Sequence, residues 1–196
     1  MSALAGRGAS DGSASSLCST PLQISIWNPV QLVPDDWDVR GVRLNMPYGK
    51  IQNVYGLDYG LVNVVRQDVA GIQVGIYNSA SAARGIQIAA WFNMTDSMSG
   101  VQLGVANTAS STTMHGVQNG IVNYAKDMSG LQNGLVNITK ELNGVKIGLV
   151  NVDTKMNGLQ IGIVNFAGSA SGVQFGVANI IRDSCVPFLP FINAHF

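Results

Sequence analysis

From Gly41 onward, apolar and polar residues alternate in a phrase that returns every 14 to 16 residues. It is cleanest in Gly158-Leu-Gln-Ile-Gly-Ile-Val-Asn165 and recurs as Gly144-Val-Lys-Ile-Gly-Leu-Val-Asn151, Gly130-Leu-Gln-Asn-Gly-Leu-Val-Asn137 and Gly116-Val-Gln-Asn-Gly-Ile-Val-Asn123. Copies open at Gly41, Gly56, Gly71, Gly85, Gly100, Gly116, Gly130, Gly144, Gly158 and Gly172. With the opening Gly as position 1, positions 2, 4 and 6 are mostly apolar, as in Val101, Leu103, Val105 and Leu159, Ile161, Ile163. Such alternation with β-branched residues predicts strands. The residue two places before each opening Gly is apolar as well: Val39, Val54, Val69, Ala83, Met98, Met114, Met128, Leu142, Met156 and Ala170. This second column reads as a further strand or bend closing onto the core that positions 2, 4 and 6 supply, with methionine as filler.

A short fixed period means stacked units rather than an ordinary domain. Fourteen residues at about 3.3 Å each give some 46 Å of chain, enough for one flattened coil of two short strands and two bends. The sequence therefore predicts an all-β repeat β-solenoid of roughly a dozen coils, about 55 Å long, with proline-containing caps. In register, Asn107, Asn123, Asn137, Asn151, Asn165 and Asn179 would form a structural amide ladder along one corner. The opening Gly would supply a positive-φ bend. The second Gly would leave either a flat groove or room for close backbone approach. The alternative architecture is an antiparallel meander, open or closed into a barrel. That arrangement gives less reason for strict Asn and Gly columns, and two-residue hairpins would favour Asn-Gly or Asp-Gly turns. Residues 1–20 read as a disordered leader, 21–55 as an N-terminal cap with degenerate coils, 56–179 as the regular array and 180–196 as a C-terminal cap.

Composition narrows the chemistry. Only 11% of residues are charged and the formal net charge is zero, so no nucleic-acid footprint exists. Charges gather ten or eleven residues after the opening Gly, with both signs present (Lys126 and Asp127, Lys140 and Glu141), as a solvated turn edge does. No apolar run is long enough for a transmembrane helix, a test that does not bear on a transmembrane β-barrel. Cys18 and Cys185 lie at opposite ends of the chain and are not expected to pair. His115 and His195 are the only histidines, and no Ser/His/Asp order, metal-spaced cluster, P-loop or dinucleotide fingerprint accompanies them. The expectation is a chain with no catalytic residues, no metal and no cofactor.

The units Gly-[Val/Leu/Ile]-Gln-x-Gly-[aliphatic]-x-Asn, with the ending Pro187-Phe-Leu-Pro-Phe-Ile-Asn-Ala-His-Phe196, resemble an uncharacterised bacterial surface-repeat family first named from spirochaete proteins. The resemblance covers Pro21 to Phe196 and implies an exported, envelope or surface location without an activity to carry over. The core Gln-x-Gly-x-x-Asn-x-Ala is also similar to curli-type amyloid repeats, from which only the stacking logic transfers. The function expected is a non-enzymatic structural or interaction scaffold, the alternative being an outer-membrane β-barrel. If positions 2, 4 and 6 are core, the opposite face carries Gln102, Gln118, Gln132, Gln160 and Gln174 with Gly120, Gly134, Gly148 and Gly162. That flat, charge-free face is the expected docking surface for a partner protein, an envelope surface or a second copy, with membrane association among the outcomes.

Overall fold

Every opening glycine sits at positive φ, from 126° at Gly85 to 154° at Gly41, a region closed to other residues. From Gly56 onward each also lies against the carbonyl of the opening glycine one coil earlier, and Gly41 lies against that of Pro21. A Cβ on Gly130 would come within 2.0 Å of the Gly116 oxygen. The column therefore marks a line where successive turns of chain are stacked in contact. The computed structural model describes residues 18–27 and 30–196.

Those residues form an all-β solenoid. In chain order the strands are β1 (Ser19–Trp27), β2 (Val30–Gln31), β3 (Asp38–Ile51), β4 (Asn53–Val65), β5 (Asp68–Leu103), β6 (Ala106–Asn119), β7 (Val122–Asn133), β8 (Val136–Ile147), β9 (Val150–Ile181) and β10 (Phe188–His195). From β3 to β9 consecutive strands pair in parallel, each phrase position on its own equivalent: Gly116 on Gly130, Gln118 on Gln132, Asn123 on Asn137. Parallel stacking rules out the antiparallel meander and the barrel. The turns number about nine rather than roughly a dozen. The C-terminal proline-marked copy leaves the parallel stack, whereas β1, the N-terminal one, still pairs in parallel with β3. β2 folds back antiparallel on β1, and β10 lies antiparallel on β9. Of the expected leader, residues 1–17 lie outside the described residues, and Ser19 already belongs to β1. Cys18 and Cys185 are both free and exposed.

The interior differs from the expected one. Positions 3, 8, 10 and 13 point inward, and only the last two are apolar. The column before the opening glycines is buried, including Met98, Met114, Met128 and Met156. Eleven residues after each of these methionines comes a small buried residue: Ala109, Ala125, Thr139 and Ala167. Where the first column shrinks to Ala170, the second enlarges to Ile181. Volume is thus traded between the two columns, as close packing requires.

The rest of the core is amide. Gln73, Gln87, Gln102, Gln118, Gln132, Gln160 and Gln174 are buried, as are Asn63, Asn78, Asn93, Asn107, Asn123, Asn137, Asn151, Asn165 and Asn179. A buried amide is costly unless hydrogen-bonded. Here each is bonded to its equivalent in the neighbouring coil. In the ladder, the Nδ2 groups of Asn45, Asn63, Asn78, Asn93, Asn107, Asn123, Asn137, Asn151 and Asn165 each donate forward to the next ladder Asn Oδ1, at 2.8 to 3.0 Å. Gln Nε2 groups of the column donate backward, as Gln132 does to Gln118 at 2.7 Å and Gln118 to Gln102 at 2.8 Å, while Gln73 and Gln160 donate to Asp58 and Asp153 instead. Opposite polarity puts the loose ends of the ladders at opposite ends of the rod. Asn45 Oδ1 at the start of one and Gln174 Oε1 at the finish of the other are buried acceptors with no partner.

Asn137 donates to Asn151 Oδ1 and to the Ile147 carbonyl and accepts from Asn123 Nδ2. Asn137→Ala is expected to lower stability by roughly 2–4 kcal/mol, since buried acceptors lose their donors. The outward neighbour Ile138→Ala should cost well under half of that. Urea unfolding of the two variants checks the contrast, and equal losses would remove the ladder from its structural role.

Candidate functional site: an apolar wall

Strand alternation carries the inward parity of positions 13, 1 and 3 straight through the extended opening glycine, so positions 2 and 4 must face out. Position 6 turns the corner after the second Gly, and positions 7 and 9 face out from the second strand. These outward positions hold most of the array's Leu and Ile residues. Leu135, Leu149 and Ile163 at position 6 are 49%, 46% and 51% exposed, and Tyr59 at position 4 is 54% exposed. Trp91, at the same corner in the coil that opens at Gly85, is 56% exposed.

Between Gly56 and Ile181 no outward position 2, 4, 6, 7 or 9 carries a charge. The polar exceptions other than tyrosine are Ser79, Thr108, Asn119 and Asn133, and Asn133 donates to Asn119 across neighbouring coils. About nine coils rising by about 4.8 Å, each showing some eight residues at about 3.3 Å, give a wall on the order of 1,100 Å². Ordinary monomers expose contiguous apolar patches of roughly 300–600 Å². The wall is continuous from one broad face, around the corner, to the other.

The docking face expected from the sequence is therefore corrected. Gln102, Gln118, Gln132, Gln160 and Gln174 are at most 1% exposed and belong to the core. Gly120, Gly134, Gly148 and Gly162 leave no groove, because the space a side chain would need is filled. A Cβ there would lie 2.1, 2.4, 2.2 and 2.5 Å from the carbonyl oxygen of the equivalent Gly one coil earlier, with an Asn amide close by. Of the two readings of this column, close backbone approach is the one present. The residues that form the surface are those assigned to the core. The signal that could have found them is the parity of the Met/Val column, which shares its face with Gln.

Two interruptions of the Gln column place charge inside the rod. Arg43 and Asp58 occupy it in consecutive coils and pair at 2.8 Å, with both side chains essentially unexposed. Burial pushes the arginine below its ordinary pKa and the aspartate above its own, each opposed by the partner's attraction. Asp58 can only accept, and it takes Gln73 Nε2 from one side and Arg43 from the other. Lys146 can only donate, so Gln160 turns instead to Asp153 Oδ2, while Thr139 supplies Gln132 Oε1 with a donor. Lys146 Nζ meets Asp153 and the Val152 carbonyl. Burial lowers Lys146 to about 8 against the pull of Asp153, and raises Asp153 against the pull of Lys146. These groups are sealed from solvent and serve the ladder.

The opposite edge of each coil is polar. Lys155 and Glu141 pair at 2.8 Å in the open, and the hydrogen bond from Lys155 holds Glu141 below its usual carboxylate value. An open groove of about 450 Å³ runs along this edge past Thr113, His115, Asp127, Glu141 and Lys155. His115 is exposed there, on β6. Among the described residues no three His, Cys, Asp or Glu side chains gather as metal ligands would. No helix among them is long and apolar enough to cross a membrane. Comparison with family models, curated proteins and solved structures finds no match to this chain.

Lys146→Gln restores the amide column but leaves Asp153 buried without its cation, so a loss of about 3–5 kcal/mol is expected. Adding Asp153→Ala, the residue type most frequent in that column, should return stability to the parent's level or above it. The pH profile gives a second readout. Between about 8, where the folded lysine titrates, and its unfolded value of about 10.4, the unfolded chain holds a proton that the folded chain has lost. Parent stability should therefore rise with pH across that window, and the double variant should lack the rise. Thermal melts of the three proteins from neutral pH upward measure both effects.

Proposed function

We propose that this chain is a non-enzymatic, exported or surface-associated repeat scaffold that acts through its apolar wall. The observation that carries the reading is a charge-free apolar surface about twice as large as a monomer ordinarily exposes. Stacked repeats offer extended surface rather than a deep cavity, and such arrays are used for contact along their length. The amide ladders and buried ion pairs hold the coils that carry that surface in register. The exported location is supported by the surface-repeat resemblance of Pro21 to Phe196.

Leu135→Glu with Leu149→Glu places two charges on adjacent coils of the corner column, where exposed side chains can change without disturbing the core. The paired control is Ser129→Glu with Asn143→Glu, on the polar edge. The wall variant should lose self-association and retention on a phenyl matrix while keeping the parent's β circular dichroism. The edge variant should keep them. Identical behaviour of parent and wall variant in association and retention would remove the wall from the protein's function.

A further inference from the structure

We propose that the occupant of the wall is a lipid surface, into which the solenoid inserts side-on with its long axis in the membrane plane. The inference rests on the scaffold reading and names its partner. The first observation is shape. The apolar columns cover both broad faces and the corner between them, so the wall is convex around three sides of the coil. A second copy laid against one broad face would cover columns 2 and 4 only, roughly 500 Å² per partner, against about 800 Å² in a standard stable interface. The corner and the other face would stay bare. Fluid hydrocarbon covers all three sides at once.

The second observation is the backbone. Hydrocarbon tolerates only backbone whose polar groups are paired. In this rod the pairing runs along the axis, from coil to coil, and includes the corner that would lie deepest. Ile121 N donates to the Val105 carbonyl, Val136 N to that of Ile121 and Val150 N to that of Leu135, each at 2.9 Å. The third is charge. The wall has none, and the polar edge carries both signs in close pairs such as Lys155 with Glu141. That edge suits water above the membrane and provides no basic patch for anionic headgroups. From the corner to columns 2 and 9 the apolar depth is on the order of 10 Å, so the rod occupies one leaflet and does not span the bilayer.

The test is flotation of the full chain with phosphatidylcholine vesicles, a zwitterionic probe. Most of the protein should float, equally at low salt and at about 1 M salt, where charge attraction is screened. Leu135→Glu/Leu149→Glu should cut the floating fraction by about tenfold or more, since carboxylates at depth are strongly disfavoured. Ser129→Glu/Asn143→Glu should float as the parent does. Brominated phosphatidylcholine should quench tryptophan emission, and Trp91→Phe should remove most of that quenching. The inference is overturned if the chain stays at the bottom, if it floats only with anionic lipid and is released by salt, or if wall and edge variants float alike. A chain that does not float but forms oligomers sensitive to the wall variant would remove lipid as the occupant and keep the scaffold. Absence of both flotation and wall-sensitive association would remove both.

Discussion

The structure depends on side-chain amides stacked at the spacing of parallel strands. An Asn or Gln inside a protein must have its donors and acceptor met. In this rod the residue able to meet them is the same residue one coil away, about 4.8 Å along the axis. Identity at positions 3 and 8 follows from that constraint. The opposed directions of donation are part of the same economy. Asn donates forward and Gln backward, so the two rows of amide dipoles run against each other, and their unmatched acceptors, Asn45 Oδ1 and Gln174 Oε1, fall at the two ends where stacking stops. Departures from identity come in complementary sets. Arg43 needs Asp58, and Lys146 needs Asp153 and the Thr139 hydroxyl, because a donor-only or acceptor-only residue can fill only one of the two roles an amide fills in the chain of bonds. Even the exchange of Asn and Gly between Asn45/Gly49 and Gly60/Asn63 keeps an amide in the ladder, with Asn45 Nδ2 reaching Asn63 Oδ1 at 2.8 Å.

An amide interior determines the exterior. A strand has two faces, and in the phrase one is taken by Gln, the second Gly and the approach to Asn. The aliphatic residues of positions 2, 4 and 6 are left on the other face, outside. The apolar wall is the reverse of the polar core, built from aliphatic residues that favour extended chain. The turn at positions 11 and 12 lies outside the amide columns and accepts inserted residues. Ser110 to Thr112 are taken up there as a local register shift between Ala109 and Thr113, with Met114 back on Met98.

Much of the architecture was legible from the period alone. The Asn ladder, the stacked glycines, the buried methionines and the atypical proline-marked ends all follow from registering the copies. Which face of each strand points inward is not legible from hydrophobicity. Hydrophobicity marks the core face of an ordinary half-buried strand. Here it fails because stacking identical amides removes the usual cost of burying them, as Gln118 between Gln102 and Gln132 illustrates. Parity was the better guide. Met114 and Gln118 are separated by an even number of residues through an extended Gly116, so a buried methionine entails a buried glutamine. Treating Gly116 as a bend hid that relation. The buried pair of Lys146 and Asp153 was half-visible: Lys146 stood out as a gap in the Gln column, while Asp153 gave no signal because its column varies.

Because contacts are between neighbouring coils only, core and wall grow together. Each added coil brings one Asn, one Gln, one core pair and about 125 Å² of outward apolar surface. At about 25 cal/mol per Å², covering that surface is worth on the order of 3 kcal/mol per coil as an upper bound. The drive to cover the wall therefore scales with the number of coils, while stability per coil stays nearly constant. A short array of this kind would fold but hold its partner weakly, and a long one would hold it strongly with no new type of contact. The end caps set that length. β10 closes the stack by running antiparallel over Gly172 to Ile180, which presents no further Gly-Gln-Asn register for another coil to continue. In a solenoid whose interior is satisfied only by its own repetition, the cap thus limits both the length of the rod and the extent of its apolar wall.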